Sequence, residues 1–192
     1  MRIFTSIRPV AVIALGMTLG ACTELPGLAD LSFGELEAEG VKLDLEMLNA
    51  QPTPVADMPK TGTADYVGAV AFGDTQPTGF TGSDLVARVT LEADFKAKTL
   101  GGTIDNFRSA SQPDFDGNID IQSGLIVGST MVANLEGTMD APATGNSGQF
   151  TGTMAGTFQG ASGEFITGGI NGAIQTTTGA TNTAGLFHAR VQ

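Results

Sequence analysis

Apolar and polar residues alternate along most of the chain after residue 60, and the clearest run is 84–95. Its apolar residues take every second place, and Val86 is the one apolar residue on the polar face. A period of two places one face of a β-strand in a core and the other in water. Turn signals separate this run from seven similar ones, so we predict eight strands. The predicted strands are 64–72, 84–95, 99–107, 117–126, 130–139, 149–158, 164–175 and 184–191.

Eight short antiparallel strands with one apolar face either pack as two sheets or close into a barrel, and closure removes the exposed edges. We therefore predict an all-β domain over residues 60–192, a single eight-stranded antiparallel up-and-down β-barrel. Side chains can fill a barrel of this size, and inward glycines fit its tight bends. The polar outer face lacks the apolar band and aromatic girdles of a transmembrane barrel.

The alternation also predicts which side chains point into the barrel. In the run 117–126 the inward residues are Ile119, Ile121 and Leu125. In the last run they are Phe187, Ala189 and Val191, with His188 and Arg190 outward.

The N-terminus has the three parts of a secretory signal over residues 1–21: a positive start, a short apolar core and small residues before a cleavage point. The core is too short to span a membrane as a helix. Leu19-Gly20-Ala21-Cys22 has the pattern of a lipobox, which predicts lipidation of Cys22, the single cysteine, with acyl chains such as palmitate. Several acyl chains anchor a protein firmly to a membrane. The alternative is an ordinary signal peptide that precedes Cys22 by chance.

Residues 22–59 are predicted to be an acidic tether with one short ordered element, which makes the lipidated N-terminal region partly flexible. Alternation over 41–47 favours a strand, whereas Leu36, Leu43 and Met47 could form one face of a helix, and the pattern does not decide between them. The ordered part either belongs to a spacer or packs on the barrel.

The composition narrows the classes of function. The net charge is −11, and it becomes −13 once the two arginines of residues 1–21 are removed. Such an acidic surface argues against nucleic acid or an anionic membrane face as a partner. The chain has no Trp and one Tyr, which leaves little for an aromatic platform that stacks on sugars or bases.

Four stretches resemble the transferrin-binding protein B β-barrel family. They are Met58-Pro-Lys-Thr-Gly-Thr-Ala-Asp-Tyr-Val-Gly68, Leu91-Glu-Ala-Asp-Phe95 with Leu100-Gly-Gly-Thr-Ile-Asp-Asn-Phe107, Gly156-Thr-Phe-Gln-Gly160 with Glu164 and Gly168-Gly169, and Gly185-Leu-Phe187. The resemblance implies a barrel on a surface or periplasmic lipoprotein that binds another molecule, often a host protein, and it implies export through a Slam-type translocon as in some members. This chain has one barrel and lacks the long loops that contact transferrin, so no ligand-binding residue is carried over.

No constellation of residues predicts catalysis, a cofactor or a metal site. Asp114, Asp116 and Asp120 have the alternation of a calcium loop, but Gly117 and Leu125 stand where an EF-hand needs other residues. A solvated turn explains them. His188 is the single histidine, and nothing in the sequence places a nucleophile beside it. The chain is therefore not expected to be an enzyme.

We predict an outer-membrane lipoprotein anchored through Cys22, at either the cell surface or the periplasmic face. Its barrel would act as a binding module for an iron-carrying, haem-carrying or other protein ligand. Function often lies on loops held by a rigid scaffold, and the candidate loops are 73–82, 109–116, 140–148 and 176–183. The alternatives are a structural envelope lipoprotein and a lipocalin-type carrier of a small apolar ligand.

Overall fold

The computed structural model describes residues 31–111, 113–141 and 146–192. These residues form helix α1 (Phe33–Met47) and eight strands. The strands are β1 (Thr63–Gly73), β2 (Leu85–Asp94), β3 (Thr99–Ser109), β4 (Ile119–Val127), β5 (Thr130–Ala141), β6 (Asn146–Gln159), β7 (Phe165–Thr176) and β8 (Gly179–Val191).

The eight strands form a closed antiparallel barrel in chain order, because β8 returns to pair with β1. Val70 of β1 lies opposite Ala87 of β2 on one side and Phe187 of β8 on the other. The predicted all-β, eight-stranded up-and-down barrel is confirmed.

One contiguous cluster of buried apolar side chains fills the interior. It includes Phe72, Phe107, Phe150, Phe158 and Phe187. Several of these rings meet edge-on or tilted, as in the pair Phe72–Phe150 at 6.5 Å between centroids. An interior packed in this way argues against a barrel that carries an apolar ligand as lipocalins do.

The predicted orientation of Leu125 is wrong. A bulge in β4 places Ser123 at φ 52° and shifts the register between Gln122 and Leu125. One extra residue turns every later side chain to the opposite face. Leu125 therefore points outward with 52% of its surface exposed, and Ile126 takes the inward position at 6%. Val191 lies on the inward side but at the barrel end, where it is 41% exposed.

Helix α1 settles the alternatives that the sequence left open for residues 33–47. Glu35 fixes its start by accepting hydrogen bonds from Ser32 N (2.9 Å) and Ser32 Oγ (2.7 Å). Leu36, Gly40, Leu43 and Met47 form its buried stripe, as a helix of 3.6 residues per turn requires. Within the described residues, no helix is long and apolar enough to span a membrane.

The helix packs on the outside of the barrel over β1, β2 and β8, where the first and last strands meet. The outer face beneath it is apolar, with Ala69 and Ala71 fully buried. Val86, the exception in the alternation, pairs with Ala71 and is also fully buried on this face. Its apolar side chain is therefore explained by a covered rather than a wet outer face.

The two ends of the barrel differ. The connections after β1, β3, β5 and β7 share one end, which we call the loop end. The opposite end of the barrel, which we call the closed end, is covered by residues 48–62 as they run from the helix to β1. Thr53 N donates to Phe158 O and Gly160 N donates to Gln51 O, both at 2.9 Å, and Met58 enters the buried cluster.

Candidate functional site

The loop end brings all four candidate loops to one side of the molecule, because each follows an odd-numbered strand. Two are shorter than predicted. The predicted loop 176–183 is mostly strand, since β7 and β8 pair as far as Thr176 and Gly179. Threonine is favoured in strands, so a Thr-rich stretch continued the hairpin. The predicted loop 140–148 narrows to residues 142–145, which lie outside the described residues.

The connection after β1, residues 74–84, is held against the rest of the molecule rather than free. Gln76 Nε2 donates to Gly185 O at 2.6 Å, and Gly82 N donates to Glu37 Oε1 at 3.0 Å. Phe80 is fully buried and belongs to a small apolar cluster with Ala69 and Ala71. The loop thus locks helix α1 to β8.

The outer surface of the same loop bounds a polar cleft of about 440 Å³. Asp74, Thr75, Thr78 and Thr81 line it and are exposed. Because backbone and side-chain contacts fix the loop, these side chains are presented on a rigid frame. This is the better-defined surface for a ligand at the loop end.

The described part of the connection after β3, residues 110–111 and 113–118, is also held by hydrogen bonds. Asp114 pairs with Arg108 at 3.2 Å and accepts a hydrogen bond from Ser109 N at 3.2 Å. Asp116 exchanges two backbone hydrogen bonds with Asp140, of 2.9 and 2.8 Å. The Asp116–Asp140 contacts continue the β4–β5 ladder into the loop and so fix its second half to β5.

The carboxylates considered for calcium do not converge on one point. Asp114 faces Arg108, while Asp120 accepts from Asn118 Nδ2 at 2.9 Å. In the part of the chain that the structure describes, no group of three or more His, Cys, Asp or Glu side chains is arranged to hold a metal ion.

His188 points outward from β8 as predicted, yet it is buried, with 7% of its surface exposed. Its Nδ1 lies 2.7 Å from Thr167 Oγ1, and its Nε2 lies 2.7 Å from Asp44 Oδ1 of the helix. The Asp44 contact has ion-pair distance. Burial lowers the pKa of His188 below its ordinary value of 6.5, and the Asp44 carboxylate partly offsets this.

Asp44, His188 and Thr167 have the connectivity of a hydrolase triad, which sequence reasoning missed because Asp44 and Thr167 lie far from His188 along the chain. A triad needs an accessible nucleophile and donors for an oxyanion. Here the imidazole is covered by α1 and by the Phe80 ring, 5.4 Å away between centroids. The arrangement is therefore suited to fastening the helix, not to catalysis.

Cys22 and the signal segment 1–21 lie outside the described residues. Lipidation at Cys22 stays a prediction, as does the division into residues 1–21, 22–59 and 60–192.

Comparison with known families decides what kind of barrel this is. The family model described as the C-lobe and N-lobe β-barrels of transferrin-binding protein B matches residues 58–190. The chain belongs to this family. The match runs from Met58 at the closed end to one residue before the end of β8, so it covers the whole barrel. The family resemblance inferred from the sequence is confirmed.

Solved structures of family members are similar in fold and much longer. A tryptophan-to-alanine mutant of transferrin-binding protein B from Haemophilus parasuis Hp5 is 18% identical, with a TM-score of 0.49 over 74% of this chain and 29% of that chain. The isotype 1 protein from serogroup B Neisseria meningitidis is 19% identical, with a TM-score of 0.47 over 73% of this chain and 27% of that chain. The chain thus spans less than a third of the solved structures that it matches. No curated protein matches the sequence.

Proposed function

We propose that this protein is a non-enzymatic, outer-membrane lipoprotein whose barrel presents its loop end to a protein ligand. The family match over residues 58–190 carries the proposal, since the family is described by the transferrin-binding protein whose lobes it forms. An iron- or haem-carrying protein is the first class of ligand to test. No cofactor is required for such a role.

The loop end supports this proposal by its rigidity. Residues 74–84 and 113–118 in two of its connections are fixed by hydrogen bonds to Gly185 and Asp140 on the barrel wall. Pre-organised loops lose little conformational entropy when they bind, which favours affinity. The exposed residues of this end are mainly Asp, Thr and Ser, which suits a polar protein surface.

The binding test uses the exported chain with Cys22→Ala, immobilised and exposed to iron-loaded transferrin or haemoglobin. Thr78→Arg and Ser111→Arg place a bulky charge on exposed positions of the two fixed loops. Thr61→Arg makes the same change at an exposed position of the closed end and serves as the control. Loop variants should weaken binding at least about ten-fold, a loss that is common for a disrupted interface centre.

Equal loss in the Thr61→Arg control would show that the loop end is not the binding surface. A chain that captures neither probe would favour the second candidate, a structural lipoprotein of the envelope. That candidate rests on the acidic surface of the chain.

Lipidation of Cys22 and the side of the outer membrane on which the barrel lies are tested separately. Cys22→Ala should release the protein from membranes, and retention of the variant would contradict lipidation. Protease treatment of intact cells, with a periplasmic control protein, then locates the barrel. Cleavage would support surface display and a Slam-type translocon as the export partner, whereas protection would place the barrel in the periplasm.

A further inference from the structure

The positive charges of the exported chain are not distributed evenly. Seven Lys and Arg follow Cys22, and four of them form ion pairs with carboxylates. These four are Lys42, Arg88, Arg108 and Arg190. Among the described residues, the remaining three, Lys60, Lys96 and Lys98, have no carboxylate within ion-pair distance. All three line one pocket at the closed end.

This pocket has a volume of about 240 Å³ and a floor of Met58, Phe95 and Ile126. Three lysines therefore line a pocket with an apolar floor, which matches a molecule with an anionic head and an apolar body. Lys98 also holds a left-handed backbone conformation at φ 59°, where Gly or Asn is the ordinary residue.

The exposed apolar side chains lie at the same end. In the described part of the chain, the large apolar residues with high exposure are Leu45, Leu48, Val55, Leu125, Val127, Val132 and Val191. Each lies in the final turn of α1, in the segment 48–62, or within three residues of the closed end of its strand. Val55 and Val127 are 63% and 65% exposed beside the lysine pocket. Lysines next to exposed apolar side chains are typical of surfaces that rest in a lipid interface.

We propose that the closed end of the barrel docks on a lipid surface, with Lys60, Lys96 and Lys98 on anionic headgroups and Val55 and Val127 in the interface. The loop end then faces away from the membrane.

The acidic net charge of the whole chain affects this docking mainly through the carboxylates near the closed end. At physiological ionic strength, exposed charges are screened beyond about 8 Å. Strand β1 has 11 residues. With a rise of about 3.3 Å per residue and a tilt of about 40°, the loop end lies about 25 Å from the closed end. Nearby, the Asp94 carboxylate accepts from Ala97 N at 2.8 Å and so turns back onto its own hairpin. The other carboxylates at the closed end are Asp57, Asp65, Glu92 and Glu164. Glu164 accepts a hydrogen bond from Ser162 N of its own turn at 3.0 Å. None of these carboxylates lines the lysine pocket.

The anchor can reach the same membrane plane. Leu31 lies near the loop end, since its carbonyl oxygen accepts from Asn106 Nδ2 at 3.2 Å and Arg108 Nε at 2.9 Å. An extended chain from residue 22 to residue 31 covers at most about 30 Å, which exceeds the distance of about 25 Å estimated along β1. A lipid on Cys22 would also raise the local concentration of the barrel at the membrane, so a weak surface affinity suffices.

The test measures co-sedimentation of the exported chain carrying Cys22→Ala with vesicles of phosphatidylglycerol and phosphatidylcholine in equal parts. Pure phosphatidylcholine vesicles are the lipid control. Each of Lys60→Gln, Lys96→Gln and Lys98→Gln should lower the partition coefficient about five-fold, and the triple variant about 100-fold. Lys42→Gln, whose ammonium lies by Glu39 on the helix, should leave partitioning unchanged.

Val55→Ser with Val127→Ser should reduce the binding that persists at high salt, since that part depends on apolar insertion. Absence of binding to anionic vesicles would overturn the proposal, as would equal binding by the triple lysine variant. Inorganic phosphate that binds the pocket as tightly in solution would also overturn it, because the occupant would then be a free anion. None of these results depends on a protein ligand at the loop end.

Discussion

Replacing Gly40 with alanine tests the contact that fixes helix α1 to the loop end. Alanine is favoured over glycine inside a helix by about 1 kcal/mol, so propensity alone predicts a more stable protein. In the structure an added Cβ would overlap the Phe80 ring, and even the third-nearest ring atom would be only 2.6 Å away. Phe80 is fully buried and has little room to move.

Overpacking of this kind costs about 1–3 kcal/mol. The cost exceeds the gain in helix propensity, so Gly40→Ala should lower the free energy of unfolding by up to about 2 kcal/mol. Gly34→Ala is the matched control, because Gly34 is in the same helix and an added Cβ there would meet no atom within 4 Å. It should raise the free energy of unfolding by up to about 1 kcal/mol.

Equilibrium urea unfolding followed by circular dichroism measures both changes, with an unchanged m-value as the check on two-state behaviour. Phe80→Ala should itself cost about 3–5 kcal/mol. In that background Gly40→Ala should become stabilising, since the ring that opposed it is gone. If Gly40→Ala stabilises the intact protein as much as Gly34→Ala does, Phe80 does not pack on Gly40 and the docking of α1 is wrong.

Three further predictions concern groups on the barrel itself. Burial raises the pKa of Tyr66 to about 12, and it is the only Tyr in a chain without Trp, so its ultraviolet titration should show no midpoint near 10. The pKa of His188 is lowered in the folded protein, so its contribution to the free energy of unfolding is present above pH 6.5 and falls as the pH drops below it. Urea unfolding at several pH values should show this loss, and His188→Gln should reduce it. Ser123→Gly should raise the melting temperature by relieving its positive φ, while Gly124→Ala should destabilise by at least about 2 kcal/mol because a Cβ would meet the Leu100 carbonyl oxygen. A lower melting temperature for Ser123→Gly would count against the bulge.

The strands could be predicted because each buries one face, and a period of two is visible in any single strand. The bulge at Ser123 was missed although the sequence marks it, because Gly124 is an isolated glycine inside the strand pattern and such a glycine often indicates a bulge. The error at Leu125 followed directly from this. The Thr-rich end of β7 and β8 predicts a loop because no apolar residue alternates with its polar ones, but Thr pairs well in strands and the hairpin continues through it.

The helix and the His188 contacts needed tertiary information. Leu36, Leu43 and Met47 fit a helical face, but positions 41–47 also fit a strand, and only packing on β1, β2 and β8 decides between them. Asp44 and His188 lie at opposite ends of the chain, so their pairing follows from barrel closure. Val86 is the one residue of β2 whose position in the sequence indicates the docked helix, because an apolar residue on an otherwise polar face indicates that another element covers it.

Barrel closure has a consequence for the order of export and folding. β1 pairs with β8 over residues 66–73 and 184–191, so the contact that completes the barrel joins the beginning and the end of the domain. A chain that crosses a membrane from its N-terminus cannot make this contact until its last strand has emerged, and pairings so distant in sequence form slowly. Helix α1 cannot dock completely before β8 has paired with β1, since part of its docking surface is β8. In the exported lipoprotein that we propose, this topology would delay completion of the barrel until the last strand has crossed the membrane.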